Sequence, residues 1–326
     1  MKKEKQTAKN TAKLSRNGYL ALTKKDFKLN KSLYLMILPI MIWYIMFCYV
    51  PMYGVIIAFK DFILDTNIGY FWSLMKSPWA GLRHFKAFVT LPSFGLLIRN
   101  TFTISAASLV FGFPIPIIFA LLLNEIRHKK FKSTVQTLTY LPHFVSVIVI
   151  CGLIRDFTSD SGIITMFLSK VFGREPTAML ADPKLFVPIY TISGIWQEFG
   201  WGSILYLATL AGIDTELYEA AKIDGANRFG LAWHISLPGL MPTIVLMLIL
   251  RMGGLLNVGY EKIILLYNPL TYETADVIST YNYRSGLVGF RWSYAAAIGL
   301  FNSAINFVFL WVTNAISRKF SESSLW

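Results

Sequence analysis

The chain has 326 residues, of which 55% are hydrophobic, 15% aromatic and only 15% charged. Soluble domains carry about a quarter charged residues, so this composition excludes an ordinary soluble globule and points to a membrane protein. The net charge of +13 does not indicate nucleic-acid binding, because ten of the 31 basic residues crowd into the first 31 positions without the interleaved aromatics of single-strand binders.

Residues 1–31 read as a basic cytoplasmic tail that ends where the first apolar run begins. That run is too long for a cleavable signal and lacks a small-residue cleavage site, so it is expected to remain as a span. Spans are predicted at about 32–59, 100–124, 133–154, 185–213, 239–258 and 292–317, each close to or above the roughly 20 apolar residues that a bilayer requires. Pro51 and Gly54 interrupt the first, and Pro142 falls in the third, where neighbouring helices can cover the freed backbone groups. The segment 60–98 carries Tyr70, Phe71, Trp72 and Trp79, read as an interfacial aromatic belt. Inner segments hold ten, four, two and two basic residues against four, four and three on the longer outer ones, which puts both termini in the cytoplasm. The expected architecture is an all-α polytopic membrane protein with a permease domain over 32–319 and a short tail at 320–326.

Cys48 and Cys151 lie inside apolar runs and read as buried thiols. His84, His128, His143 and His234 are far apart and form no ligand pair, so no metal is expected. The chain contains no Gly-Lys dipeptide and therefore no Walker-type phosphate loop, and no catalytic residue or resident cofactor is predicted.

Between the fourth and fifth spans stands a polar, helix-forming insert, 214–238. Leu217, Tyr218, Ala220 and Ala221 give a short helix with one small apolar face, which Asp214 or Thr215 can cap. Gly225 after Asp224 supplies a left-handed stop, a second short helix is expected from Ala226 to Ile235, and Leu237-Pro238 opens the next apolar run. Two alanines allow another protein to approach closely, and Glu219 offers it a charged acceptor. Glu219-Ala220-Ala221, Gly225, Ile235 and Leu237-Pro238, at this spacing, resemble the EAA loop of permease subunits in binding-protein-dependent ABC importers.

Other stretches extend the resemblance to nearly the whole chain after the tail. YVPMYGVIIAFKDF (Tyr49–Phe62), SPWAGLRHF, RNTFTIS, FPIPIIFALLLNE, TYLPHFVS, RMGGLLNVGYEKIILLYNP, STYNYRSGL and AAAIGLFNSAINF are similar to the MalF-like sugar permeases, in the LplB-like and alginate-type branch that handles complex oligosaccharides. The resemblance implies a type I importer permease fold in a bacterial cytoplasmic membrane. It also implies a second, similar permease, two cytoplasmic ATPase subunits that bind ATP and Mg, and an extracellular solute-binding lipoprotein. Glu219, Ala220, Ala221, Asp224, Gly225, Leu237 and Pro238 would then couple the chain to the ATPase.

Ionisable groups within spans are candidates for the substrate pathway. Arg251 lies about 18 Å into span five at 1.5 Å per residue, and Glu198 reaches a similar depth from the opposite side. Either the two pair and hold helices together, or Arg251 faces the pathway and binds sugar hydroxyls or an acidic sugar. Trp196 and Gln197 add a stacking face and an amide beside Glu198, and Asn257, Tyr260 and Glu261 continue outward from Arg251. Tyr281, Tyr283 and Arg284 are candidate contacts for the docked binding protein. An ion-coupled carrier would instead show several buried carboxylates, whereas Glu198 is the one carboxylate in the predicted spans. A membrane-embedded enzyme would want paired carboxylates or a His/Asp cluster at the membrane surface, and none stands out. A permease of the same kind for a non-sugar solute remains as a further alternative.

Overall fold

The computed structural model describes residues 26–320 apart from positions 28 and 174. Most of the basic tail at 1–31, and the C-terminal tail beyond 320, lie outside the described residues. Among those described, the elements are helical, and β pairing is limited to a single antiparallel bridge between Lys60 and Trp79. The chain divides at Ile56 into two units.

The first unit is dominated by α1 (Lys31–Tyr44), apolar on every face and extended through a π-turn (Ile45–Tyr49) and a short helix (Val50–Met52). Asp26 fixes its start, accepting from Asn30 Nδ2 at 2.7 Å and from the Tyr34 hydroxyl at 2.6 Å. The expected interruption at Pro51 is therefore a widened turn and not a break. Proline lacks an N–H and crowds the carbonyl four residues back, and a π-turn just before it relieves both problems.

The second unit opens with the outer segment. Its two helices, α2 (Gly69–Lys76) and α3 (Arg83–Val89), are bound by the two stretches that flank α2. Ala80 N–H donates to Phe59 O at 2.8 Å and Asp61 N–H to Pro78 O at 2.9 Å. Lys60 is buried; its ammonium donates to Leu74 O at 2.7 Å and Met75 O at 3.1 Å and lies 5.2 Å from the Trp79 ring centroid. It thus satisfies terminal carbonyls at the negative end of α2. Asp61 pairs with Arg83 and with His84. The stretches around Lys60 and Trp79, separate in sequence, form one locked corner.

Two helices, α4 (Phe94–Gly112) and α5 (Pro114–Asn124), make one long apolar rod. The third predicted span departs from expectation. Instead of a continuous helix over 133–154, α6 (Lys129–Tyr140) ends in a 3-10 turn, Leu141–Phe144, and α7 (Val147–Phe157) leaves at 98° to it. Pro142 ends the first helix, and Ser146 begins the second by accepting from Ile148 N–H at 3.3 Å. The outer segment that follows is not plain loop. It holds α8 (Ile163–Phe172), which Gly173 ends in the left-handed conformation at φ 63°.

The central pillar is α9 (Pro183–Ala211), a 29-residue helix that packs against α4, α5 and α6. Its Gly200 meets α6 backbone to backbone: a Cβ there would collide with the Thr139 carbonyl. Phe186 joins Ile104 of α4 and Cys151 of α7 in one apolar cluster, while Tyr206 and Leu210 join Ile117 and Ala120 of α5 in another.

Beyond the polar insert, a continuous helix runs from Arg228 to Met252, of which Leu237–Met252 is α11. It stops short of the predicted 258, so Asn257 falls in a turn. The segment 259–291, between the fifth and sixth predicted spans, is largely helical, with α12 (Tyr260–Leu266) and α13 (Ile278–Tyr283). The last element is α14 (Trp292–Phe320), whose last turn carries Arg318 and Lys319. Among the described residues, four helices are long and apolar enough to cross a membrane, or five if the bent pair α6 and α7 is one span. The pillar α9 is as long as these but more polar along its length.

Candidate functional site

The insert folds as a compact hairpin built from local signals. Its first helix, α10 (Thr215–Ile223, numbered between α9 and α11), is capped by Asp214, whose carboxylate accepts from Glu216 N–H at 3.0 Å. Gly225 closes it at φ 85°, with Ala226 N–H donating to Ala221 O at 2.9 Å. A Cβ on Gly225 would meet nothing within 4 Å, so the backbone angle alone demands glycine. Asn227 caps the following turn, Arg228–Leu231, by accepting from Gly230 N–H at 2.8 Å. The expected second helix over 226–235 therefore begins at Arg228 and runs on through a π-turn, Ala232–Ser236, into α11. Pro238 follows that π-turn as Pro51 follows the one in α1.

The hairpin is tied to the rod behind it by the hydroxyls of Tyr218 and buried Ser236, 2.9 Å apart. Its far side is bare. Glu219, Ala220, Asp224 and Gly225 are exposed, Ala221 is partly buried, and Ile223 and Phe229 are 87% and 81% exposed. Large exposed apolar side chains beside a carboxylate have the chemistry of a surface that a partner protein can cover. Leu237 is partly buried and Pro238 exposed at the base of the rod.

A cavity of about 510 Å³ lies against the middle of α9. Gln197, Glu198, Arg251, Lys262, Tyr190 and Phe199 all line it. Trp196 does not; it is exposed elsewhere on α9. Although Arg251 sits in the last turn of α11, it faces the same space as Glu198 at the pillar's midpoint. The pairing weighed between them does not form. Glu198 Oε2 lies 3.0 Å from His143 Nδ1, and the His143 ring stacks on Trp201 with centroids 4.5 Å apart. Arg251 has no ion pair among the described residues.

Lys262 was not expected in this space. It is buried, its ammonium donating to Tyr190 O at 3.4 Å and lying 5.1 Å from the Tyr190 ring centroid. Burial pushes its pKa down to about 8. No carboxylate lies within ion-pair distance of it among the described residues. The cavity thus holds two cationic groups and one carboxylate already engaged by a histidine, an arrangement suited to hydroxyls and to carboxylates. A lysine inside a mixed polar and apolar stretch gives little sign that it will turn inward.

The outer candidates scatter. Asn257 Oδ1 accepts from Asn302 Nδ2 at 2.9 Å and Asn306 Nδ2 at 3.0 Å, fastening the turn after α11 to α14. Tyr260 stacks on Tyr283 with centroids 5.5 Å apart, and Glu261 is exposed. Tyr281 is turned inward, its ring stacked over Phe88 and its hydroxyl 3.3 Å from that of Tyr294. Arg284 grips Asp276 through two bonds of 2.9 and 2.7 Å, and that carboxylate raises its pKa further. Tyr281 and Arg284, expected on a docking face, are thus held by internal partners, because Asp276 and Tyr294 lie within reach across the folded segment.

Residues 112–322 match the family model described as the binding-protein-dependent transport system inner membrane component. Protein LplB of Bacillus subtilis (strain 168) is 42% identical over 309 residues, covering 94% of each chain. The polygalacturonan/rhamnogalacturonan transport system permease protein YteP of the same organism is 41% identical over 91% of this chain and 90% of its own. A chain of a bacterial alginate ABC transporter, crystallised with an alginate pentasaccharide-bound periplasmic protein, superposes with a TM-score of 0.82 at 42% identity, covering 92% of this chain and 99% of that one. The likeness thus runs over nearly the whole chain and extends to the fold. By family model, sequence and structure alike, this chain belongs to the inner membrane components of binding-protein-dependent transport systems.

Proposed function

We propose that this chain is the membrane-spanning permease subunit of an ATP-driven oligosaccharide importer in the cytoplasmic membrane of a bacterium. It forms the pathway with a second, homologous permease. Two cytoplasmic ATPase subunits bind the ATP and Mg, act on the hairpin 214–238, and leave this chain without catalysis or cofactor of its own. An extracellular solute-binding lipoprotein delivers the sugar. Six spans with both termini cytoplasmic fit this arrangement if α9 and the bent pair α6 and α7 each count as one span.

The observation that carries the reading is the hairpin. A polar, locally capped, surface-exposed element bearing Glu219, Ile223 and Phe229 has no purpose in a self-sufficient carrier, and the chain belongs to a family defined by dependence on partners. Two relatives are named for polymers of acidic sugars, polygalacturonan and alginate. The cavity's unpaired Arg251 and Lys262 support an oligosaccharide that carries carboxylates.

Gentle detergent purification from native membranes, with mass spectrometry of what co-elutes, tests the reading. An ATPase and a second permease should appear and should be lost when 219–225 is scrambled. A chain that elutes alone and moves solute in liposomes without ATP would be an ion-coupled carrier, and the reading would fail.

A further inference from the structure

A second cavity, of about 280 Å³, lies between α13, the π-turn after it and α14. It adjoins the first through the chain itself. Gly259 and Lys262 line the first cavity, while Tyr260, between them in sequence, lines the second. Its wall is aromatic and its floor small. The stacked rings of Tyr260 and Tyr283 stand with Trp292 around Gly286, Ala295 and Gly299.

Two of its lining residues, Asn282 and Asn302, carry side-chain oxygens that are buried and accept no hydrogen bond among the described residues. Buried acceptors are ordinarily satisfied, and those open beside a cavity can take a donor from water or from a ligand that displaces it. Asn302 spends its amide N–H on Asn257 Oδ1, which orients its own oxygen. The cavity walls hold no charged side chain. Aromatic faces combined with neutral amide acceptors are the chemistry that holds a pyranose ring: its apolar face stacks, and its hydroxyls donate.

We propose that this second cavity is a separate sugar subsite, which takes one neutral face of a pyranose unit next to the unit held beside Arg251 and Lys262. The inference rests on the oligosaccharide reading given above and goes beyond it by dividing recognition between two cavities. The charged cavity reads carboxylates, and the aromatic one reads length. A substrate of one or two units fills the first cavity only, and a longer chain engages both across the Gly259–Tyr260 step.

The whole transporter, purified with its partners in proteoliposomes, is assayed for ATP-dependent uptake of galacturonate and alginate oligomers of two to six units. Tyr260→Ala should raise KM about tenfold for oligomers of three or more units and leave the dimer within about twofold, and Tyr260→Phe should restore the longer oligomers. Trp292 fluorescence, read on the same complex, should respond to the longer oligomers and not to the dimer. Equal loss at every length, or none at any length, would overturn the subsite while leaving the importer intact. A wild-type transporter that takes up none of these sugars would overturn the substrate reading and the subsite with it.

Discussion

Lys262 and Arg251 occupy one cavity for opposite structural reasons. Arg251 is exposed at the positive-tolerating end of a helix, where its charge interacts favourably with the last carbonyls. Lys262 is buried, and dehydration holds its pKa near 8. The lysine is mostly charged below that pH and mostly neutral above it. Uptake of a carboxylate-bearing sugar should therefore persist at neutral pH and fall as pH rises through about 8. Lys262→Arg should flatten that profile, because a guanidinium stays charged throughout, and Lys262→Met should give low uptake at all pH values. A wild-type profile unchanged to pH 9 would remove Lys262 from substrate recognition. The part of the site legible in sequence was Arg251, Gln197 and Glu198, because charges and amides inside apolar runs stand out. Lys262 and His143 were not legible as members, since they meet the site only through α9, whose Glu198 is 64 residues from Lys262 and 55 from His143 in sequence.

At the scale of elements, the hairpin is the most self-determined piece. Asp214, Gly225 and Asn227 each act on backbone groups within a few residues, so its caps could be read almost directly from spacing. Gly225→Val forces a β-branched side chain to φ 85° and should uncouple the two helices of the hairpin. ATP-dependent uptake should fall at least tenfold, with membrane insertion unchanged by protease protection. Glu219→Ala removes the exposed acceptor and leaves the helix intact; transport should be lost, and co-purification of the ATPase weakened. Wild-type uptake with both substitutions would separate the hairpin from coupling. The bend between α6 and α7 was less legible. Pro142 within an apolar run is compatible with a kinked span or a sharp break, and the decision came from Ser146, whose hydroxyl starts a new helix. Replacing Ser146 with Ala should cost about 1 kcal/mol of cap stability, read as a lower melting temperature of the purified transporter.

For the whole molecule, apolar length alone picked out the helices that are long and apolar enough to cross a membrane among the described residues, while their exact ends were not legible. The fourth predicted span shows why: α9 is long enough to cross, yet it gives much of its surface to other helices and to a cavity that holds charged side chains, so its composition need not match lipid. Topology can be tested with single cysteines in a background lacking Cys48 and Cys151. Asp65→Cys and Phe290→Cys should react with an impermeant maleimide from outside intact cells, whereas Lys130→Cys and Asn227→Cys should react only after permeabilisation. Any reversal of that pattern would overturn the orientation with both termini inside.

The continuous helix from Arg228 to Met252 has a mechanical consequence. Its first turn is pinned to the hairpin through Asn227 and, by way of Ser236, to Tyr218, while its last turn presents Arg251 to the cavity. Twenty-five helical residues make an arm, and at 1.5 Å per residue its length is about 37 Å. If the inner end pivots by about 10°, the guanidinium at the outer end sweeps roughly 6 Å, more than the length of a hydrogen bond. Under the function proposed above, a small stroke at the hairpin is geared up into the making or breaking of Arg251's contacts in the cavity, without any bond in the arm itself having to change.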